Sequence, residues 1–267
     1  MDNPQFPEAF NTVVGMGAPQ RYFRIQNLNR IGSLVASVVF LGGAVLVFMY
    51  GVYEAYQAYR DHGPAAMGSV LTWPVIIALV LFLLAAAGGR AAYVNWNKGV
   101  ALYEQGFVVR DRRGIRAWRW EEIGSLTAAV TRHYTNGIYT GTTHVYTLYN
   151  RQNERLVLSD TYVKVEELAK AIEQGIFPHL YERAAQQYNL GQTLAFGPVA
   201  ISKTGIRISK KVYPWTEVQQ VTIQRGYLRV SKKGGGWFSG ASAAASAIPN
   251  LSVLLDMIHQ VVGLKTG

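Results

Sequence analysis

Histidine and glutamate side chains are the groups in this sequence that could perform acid–base chemistry or bind a metal ion. His133 and His144 are close enough to face each other across a β-hairpin, but no carboxylate or further histidine stands at ligand spacing beside them. Two glutamate pairs occupy positions 121–122 and 166–167. Because neighbouring side chains point in different directions on a strand or helix, these pairs are poorly arranged for catalysis. We expect no metal, cofactor or catalytic site, unless the fold brings both histidines and a carboxylate into one pocket.

Short motifs give no stronger sign of an enzyme. Lys203-Thr204-Gly205 matches one element of β-lactamases, but no Ser-x-x-Lys sequence accompanies it. The two lysines at 232–233, which precede three glycines, lack the spacing of a Walker phosphate-binding loop. The sequence contains no cysteine, which excludes disulfides, cysteine metal sites and thiol nucleophiles. We therefore expect a protein that is not an enzyme.

Two long apolar runs dominate the chain. Residues 31–53 and 70–89 contain no charged side chain, and each has about the ~20 residues that a helix needs to cross a hydrocarbon core of ~30 Å. They predict a transmembrane helical hairpin. The alternative is a pair of buried core helices in a soluble domain, which is less favoured because the runs are apolar on all sides. Without a charged side chain in either run, a transport or proton-relay role has no support.

The distribution of charge orients this hairpin. The net charge is +10, and residues 90–267 carry 22 Lys/Arg against 12 Asp/Glu. Basic residues flank the outer ends of both apolar runs, whereas the connection carries a single arginine, so the positive-inside rule places both termini in the cytoplasm. We expect a multi-pass protein of the plasma membrane without a cleavable signal peptide. Its first segments are a cytoplasmic stretch (residues 1–30) and the hairpin (residues 31–98).

Aromatic residues surround the predicted membrane boundary. Amphipathic rings favour the headgroup zone, so we interpret them as a membrane-interface belt; the alternative is a stacking platform for a ligand. The belt comprises Tyr50, Tyr53, Tyr56, Tyr59, Trp73 and Trp96. Small residues at 85–89 would allow close helix packing or dimerisation, which leaves a homo-oligomer open.

Beyond residue 98 the pattern changes to short β-like runs separated by turn signals. A helix follows them, and we expect Asp160 or Thr161 to cap it and Pro178 to kink it. Its apolar face has four-residue spacing and consists of Leu168, Ile172, Ile176 and Leu180. More β-like runs follow, with a poor strand at 234–247 and a last helix that begins after Asn250. Residues 1–29, broken by proline and glycine, are predicted to be irregular.

The two β-rich segments share an order of events that indicates an internal repeat. Each has an apolar start, a glycine turn, a strand and then Trp-x-Glu before a β-branched residue. The residues are Gly106, Trp120, Glu122 and Ile123 in the first segment, and Gly205, Trp215, Glu217 and Val218 in the second. Glycine at a tight turn and tryptophan at a strand end have packing reasons, so we interpret the repeat as structural.

With these residues the chain resembles uncharacterised bacterial membrane proteins in which a transmembrane hairpin precedes pleckstrin-homology-like (PH-like) domains. The resemblance implies an α+β fold with one or two PH-like barrels or sandwiches, each closed by a C-terminal helix. It implies a first domain at residues 99–190 and a second, complete or incomplete, at residues 191–267. One larger β domain is the alternative.

Basic residues in the second β-rich segment are the remaining signal of function. Residues 191–267 carry nine Lys/Arg against two acidic residues. If these cations share a surface, it would face anionic lipid headgroups or an acidic partner; the alternative is an ordinary solvated face. The candidate binding residues are Arg207, Lys210, Lys211, Arg225, Arg229, Lys232 and Lys233. No motif for nucleic acid accompanies them, and we expect no nucleic-acid partner.

These observations predict a membrane-anchored cytoplasmic binding module. Its hairpin would contact membrane lipids, and its β-rich part would bind a protein partner or anionic lipid headgroups. The alternative is a structural assembly protein that self-associates and has no ligand.

Overall fold

The structure is a computed structural model that describes residues 7, 10, 15–96, 98–111, 113–136, 138–234 and 240–262. Its internal contacts divide the chain into two units. The β unit comprises Met1–Phe23, Val100–Val109 and Arg116–Gly267, and the helical unit comprises Arg24–Gly99 and Arg110–Ile115.

The helical unit is built on two long helices, α1 (Asn27–His62) and α2 (Met67–Trp96). Both are long and apolar enough to cross a membrane, with mean hydropathies of 2.4 and 2.6 in their most apolar parts. Only 6% of those parts is buried, whereas the core helix of a soluble domain would be mostly buried. The two predicted apolar helices are therefore confirmed, although α1 begins earlier than residue 31.

Small side chains form the seam between α1 and α2. The buried positions are Ala44, Gly51 and Ala55 on α1, and Ala78, Ala85 and Ala92 on α2. The alanines of α2 recur every seventh residue, which keeps them on one face of the helix. The Ser37 hydroxyl donates a hydrogen bond of 2.7 Å to the Ala85 carbonyl, and a Cβ on Gly51 would overlap the ring of Pro74. The two backbones therefore approach closely, as small residues permit.

The first half of the β unit consists of two antiparallel sheets followed by a helix. A four-stranded sheet has the order β1-β2-β3-β4, and a three-stranded sheet has the order β5-β6-β7. The elements are β1 (Pro19–Arg24), β2 (Gly99–Tyr103), β3 (Gly106–Asp111), β4 (Gly114–Arg119), β5 (Ile123–Thr135), β6 (Ile138–Asn150), β7 (Arg155–Ser159) and α3 (Val165–Asn189).

The second half presents the same order of elements. A four-stranded sheet, β11-β10-β9-β8, precedes a three-stranded sheet, β12-β13-β14, and a helix. The elements are β8 (Leu194–Phe196), β9 (Val199–Ile201), β10 (Gly205–Ile208), β11 (Lys211–Pro214), β12 (Val218–Gln224), β13 (Tyr227–Lys232), β14 (Ala241–Ala244) and α4 (Leu251–Val262).

The two halves differ at their first connection. Residues 197–198 join β8 to β9, whereas the chain between β1 and β2 contains α1 and α2. The helical hairpin thus occupies the place of a two-residue turn. Two residues separate β1 from α1, and two separate α2 from β2.

Several expectations from the sequence need correction. The segment before the hairpin is not wholly irregular, because β1 adds a strand to the first sheet and buries Phe23. Residues 235–239 lie outside the described part of the chain, but β14 pairs with β13 where a poor strand was expected. The helix α3 begins at Val165 and continues through Pro178. Within the described residues the strands form open sheets and no closed barrel.

The uninterrupted course of α3 has a packing reason. Leu168, Ile172, Ile176 and Leu180 are all buried on one face, as the spacing predicted. This face holds the helix to the sheets on both sides of Pro178, which itself is exposed. Because proline has no backbone N–H, the carbonyl of Gln174, four residues earlier, loses its helical hydrogen bond. Gln174 is exposed as well, so water can bond that carbonyl.

Asn250 joins the two halves just before α4. Its backbone N–H donates to the Leu126 carbonyl at 2.8 Å. Its side chain accepts from the Leu126 N–H at 2.8 Å and donates to the Gly124 carbonyl at 3.1 Å. These bonds attach the start of α4 to β5 and hold the last helix beside the first half.

Gly51→Ala should loosen the helical hairpin, because the added methyl group meets Pro74. We expect a loss of about 1–3 kcal/mol, typical of overpacking, measured by thermal unfolding of the full chain in detergent followed by circular dichroism. Gly42→Ala is the matched control, since a Cβ there meets nothing within 4 Å and the gain in helix propensity is the same. Equal stability of the two variants would contradict close packing of α1 against α2 at Gly51.

Candidate binding site

Strand register places one set of side chains on the inner face of the β5–β6 hairpin. Leu126 pairs with Leu148 and Ala128 pairs with Tyr146. The first pair is buried, whereas Ala128 is exposed and Tyr146 is half-buried. Since a small residue stands opposite a large one at the second pair, the core opens there into a groove.

The groove has a volume of about 620 Å³ and is mostly apolar. Its floor is Leu126, Ala128 and Tyr146. One wall comes from α3, and the other comes from the start of α4 and the segment that leads into it. The apolar wall residues are Ala169, Ile176, Phe177, Leu180, Ala245, Ile248, Leu251, Val253 and Leu255. Both halves of the β unit therefore contribute to one concave surface, of a size typical of ligand sites.

The rim of the groove is acidic. Glu166, Glu167 and Glu173 line it, with Lys170 as its one cation among the described lining residues. Glu167 already has partners, since Lys164 lies 3.0 Å and Arg21 lies 3.3 Å from its carboxylate. Glu173 forms no ion pair within the described part of the chain, so its charge is available to a ligand.

His144 joins β6 to the start of α3. Its Nδ1 lies 3.0 Å from Oδ1 of Asp160, and its Nε2 lies 2.9 Å from Oε1 of Glu166. Its backbone N–H also donates to Oδ2 of Asp160 at 2.7 Å. Both ring nitrogens can donate at once only when the ring is protonated. Asp160, which was expected to cap α3, instead holds this histidine.

The electrostatic environment at the floor is negative. Burial raises the pKa of Tyr146, and the carboxylates of Glu166, Asp160 and Glu173 raise it further, because negative neighbours oppose formation of the phenolate. The Tyr146 hydroxyl therefore stays protonated at neutral pH. An anion would be repelled here, whereas a cation would be attracted.

The two histidines do not form a metal site among the described residues. No group of three His, Asp or Glu side chains there is placed to hold a metal ion. His133 bonds Thr143 at 2.7 Å and does not join His144. Because both nitrogens of His144 face carboxylates, neither is directed toward a substrate. The two histidines therefore lie in separate settings, and the expectation that the protein is not an enzyme stays a prediction.

The predicted basic residues are distributed over two sheets. Arg207 lies on β10, and Lys210 and Lys211 lie where β10 meets β11. The others lie on or beside β13: Arg225, Arg229, Lys232 and Lys233. All seven are exposed. Lys232 is already paired with Glu217 at 2.9 Å. Whether these residues bind a ligand stays a prediction.

The predicted belt residues are all exposed on the helical unit. Trp73 is the most exposed, at 68%. The relevant residues on α1 are Tyr50, Tyr53, Tyr56 and Tyr59, and those on α2 are Trp73 and Trp96. Sequence reasoning passed over Tyr93, which is 78% exposed near the end of α2.

Comparison with protein families assigns the chain. A family model described as a family of unknown function (DUF6585) matches residues 7–265. The chain belongs to this family. The match covers both the helical unit and the β unit, so the helices are part of the DUF6585 architecture and not an addition to it. A search of curated proteins finds no match.

His144→Ala should destabilise the β unit of this DUF6585 protein by about 1–2 kcal/mol, since it removes the bridge between two carboxylates. Urea denaturation of the full chain, followed by tryptophan fluorescence, measures this loss. His133→Ala is the control, because its ring bonds only Thr143 on the exposed part of the hairpin, and we expect a change within about 0.5 kcal/mol. If both variants unfolded at the same urea concentration, the stabilising role of the His144 contacts would be wrong.

Proposed function

We propose that this DUF6585 protein is a membrane-anchored binding protein. In this proposal α1 and α2 cross the plasma membrane of a bacterium, and both chain termini and the β unit lie in the cytoplasm. The charge pattern supports the orientation, since Arg24, Arg90 and Lys98 stand at the ends joined to the β unit, and Arg60 is offset by Glu54 and Asp61 at the other end. Two short links then tether the β unit to the membrane.

We further propose that the two halves are tandem PH-like domains. Hydrogen bonds around the shared motif support this. The backbone N–H of Trp120 donates to Gln105 and that of Trp215 to Thr204, each the residue before the motif glycine. The indole N–H of Trp120 donates to the Glu104 carbonyl at 2.9 Å, and that of Trp215 to the Ser202 carbonyl at 2.8 Å. A tryptophan side chain thus closes the equivalent turn in each half.

The binding target in this proposal is an apolar, positively charged segment of a protein partner. The groove carries the proposal: its apolar floor suits aliphatic or aromatic anchors, and the carboxylate of Glu173 suits a lysine or arginine beside them. Two of its walls are helical, which is the setting in which an amphipathic helix lies in a groove. Charge complementarity would favour such a partner over an acidic one.

A displayed peptide library tests the proposal. The full chain in lipid nanodiscs is the bait, and Ala128→Trp, which fills the groove, is the counter-selection. We expect peptides that are lost with Ala128→Trp and that combine apolar residues at helical spacing with lysine or arginine. A peptide selected in this way should bind Glu173→Lys about tenfold more weakly, because a like charge then faces it.

Glu182→Lys is the control for this measurement. It reverses the same charge on the same helix but lies outside the groove, so peptide affinity should be unchanged. Acidic peptides, or peptides that bind equally to Ala128→Trp, would overturn the proposed target. If no peptide is enriched and the chain crosslinks to itself in membranes, the rival function of self-assembly is favoured instead.

A further inference from the structure

A second cluster of charge lies at one end of the helical unit. β2 begins at Gly99, directly after Lys98, and β3 ends at Asp111. These neighbouring strands are joined by two residues, 104–105, so they run antiparallel and the end of β3 lies at the same sheet end as Gly99. The contacts agree, since Arg110–Ile115 groups with α1 and α2.

This arrangement collects cations from three separate segments. Arg24 precedes α1, Arg90 lies near the end of α2, and Lys98 lies between α2 and β2. The end of β3 adds Arg110, and the turn from β3 to β4 adds Arg113. We call these five residues the basic collar. Asp111 is the acidic residue among them, and it accepts a hydrogen bond of 2.8 Å from the Arg113 backbone N–H.

The arginines of the collar are largely available. Arg24, Arg90 and Arg113 are exposed, and Arg110 is half-buried. The guanidinium groups of Arg24, Arg90 and Arg110 form no ion pair with a carboxylate in the described part of the chain. Lys98 donates to the Asn95 amide oxygen at 2.8 Å, so it is already engaged. Arginine suits phosphate because its donors form a rigid fork.

Aromatic and apolar side chains accompany the collar. Tyr93 is 78% exposed and Trp96 is 51% exposed at the end of α2, and Ile115 is 40% exposed at the start of β4. Exposed rings beside cations, at the end of an apolar helix, are typical of the zone where lipid headgroups meet hydrocarbon. Binding of a soluble acidic protein partner would not require exposed aromatic rings beside the cations.

We propose that the basic collar binds the phosphate groups of anionic phospholipids, as a site separate from the groove. The proposal depends on the membrane anchoring proposed above. Bound lipid would neutralise Arg24, Arg90 and Arg110, which form no ion pair with a carboxylate among the described residues, and would connect the β3–β4 turn to the headgroup layer. Each cation near an anionic surface contributes about a fivefold gain in affinity.

Native mass spectrometry of the full chain in mild detergent tests the collar. Phosphatidylglycerol and phosphatidylcholine are titrated separately, and bound lipids are counted. We expect phosphatidylglycerol to be preferred, and Arg110→Gln/Arg113→Gln to weaken its binding about fivefold for each cation removed. Arg151→Gln/Arg155→Gln, two exposed arginines where β6 meets β7, is the matched control with the same charge change, and it should bind as the unaltered chain does.

Three outcomes would overturn the proposal. The two lipids could bind equally, the two double variants could behave alike, or soluble glycerol phosphate could displace the lipid and so identify a free phosphate compound as the ligand. Failure of the anchoring itself is recognised earlier, because the chain would then purify from the aqueous fraction without detergent.

Discussion

The pairing of β1 with β2 is the constraint on which the rest of the structure depends. The two strands lie side by side in one sheet, yet α1 and α2 intervene between them in the chain. The chain must therefore leave the sheet and return to the neighbouring strand. A pair of helices of similar length, 36 and 30 residues, meets this condition. The small-residue seam lets the two helices pack closely. This packing helps to return the chain to the strand beside β1.

The groove is a consequence of how the two halves meet. Asn250 attaches the start of α4 to β5, while His144 on β6 contacts Glu166 at the start of α3 and Asp160 just after β7. These polar attachments hold two helices beside one hairpin face, and the Ala128–Tyr146 pair leaves space between them. Acidic residues in the first turns of α3 then surround an apolar floor. The basic collar carries the opposite charge, so the two proposed sites would select different ligands.

Local patterns were sufficient to predict part of this fold. Apolar length alone predicts α1 and α2, and four-residue spacing predicts the buried face of α3. The strand β1 was missed because its partner lies beyond the hairpin, which no local window contains. The groove and the His144 bridge were missed because each combines separate segments whose register the sequence does not state. One usable signal was that the small residue Ala128 follows the large residue Leu126 at alternate apolar positions of the same strand.

In the proposed function, the hairpin crosses the membrane and returns to the side from which it left. Because the chain lacks cysteine, single cysteines labelled with a membrane-impermeant maleimide test this directly. We predict that Ala65→Cys, in the turn between α1 and α2, is labelled in intact cells. Gln224→Cys, exposed in the β unit, should be labelled only after permeabilisation. Labelling of both cysteines under the same condition would contradict the account.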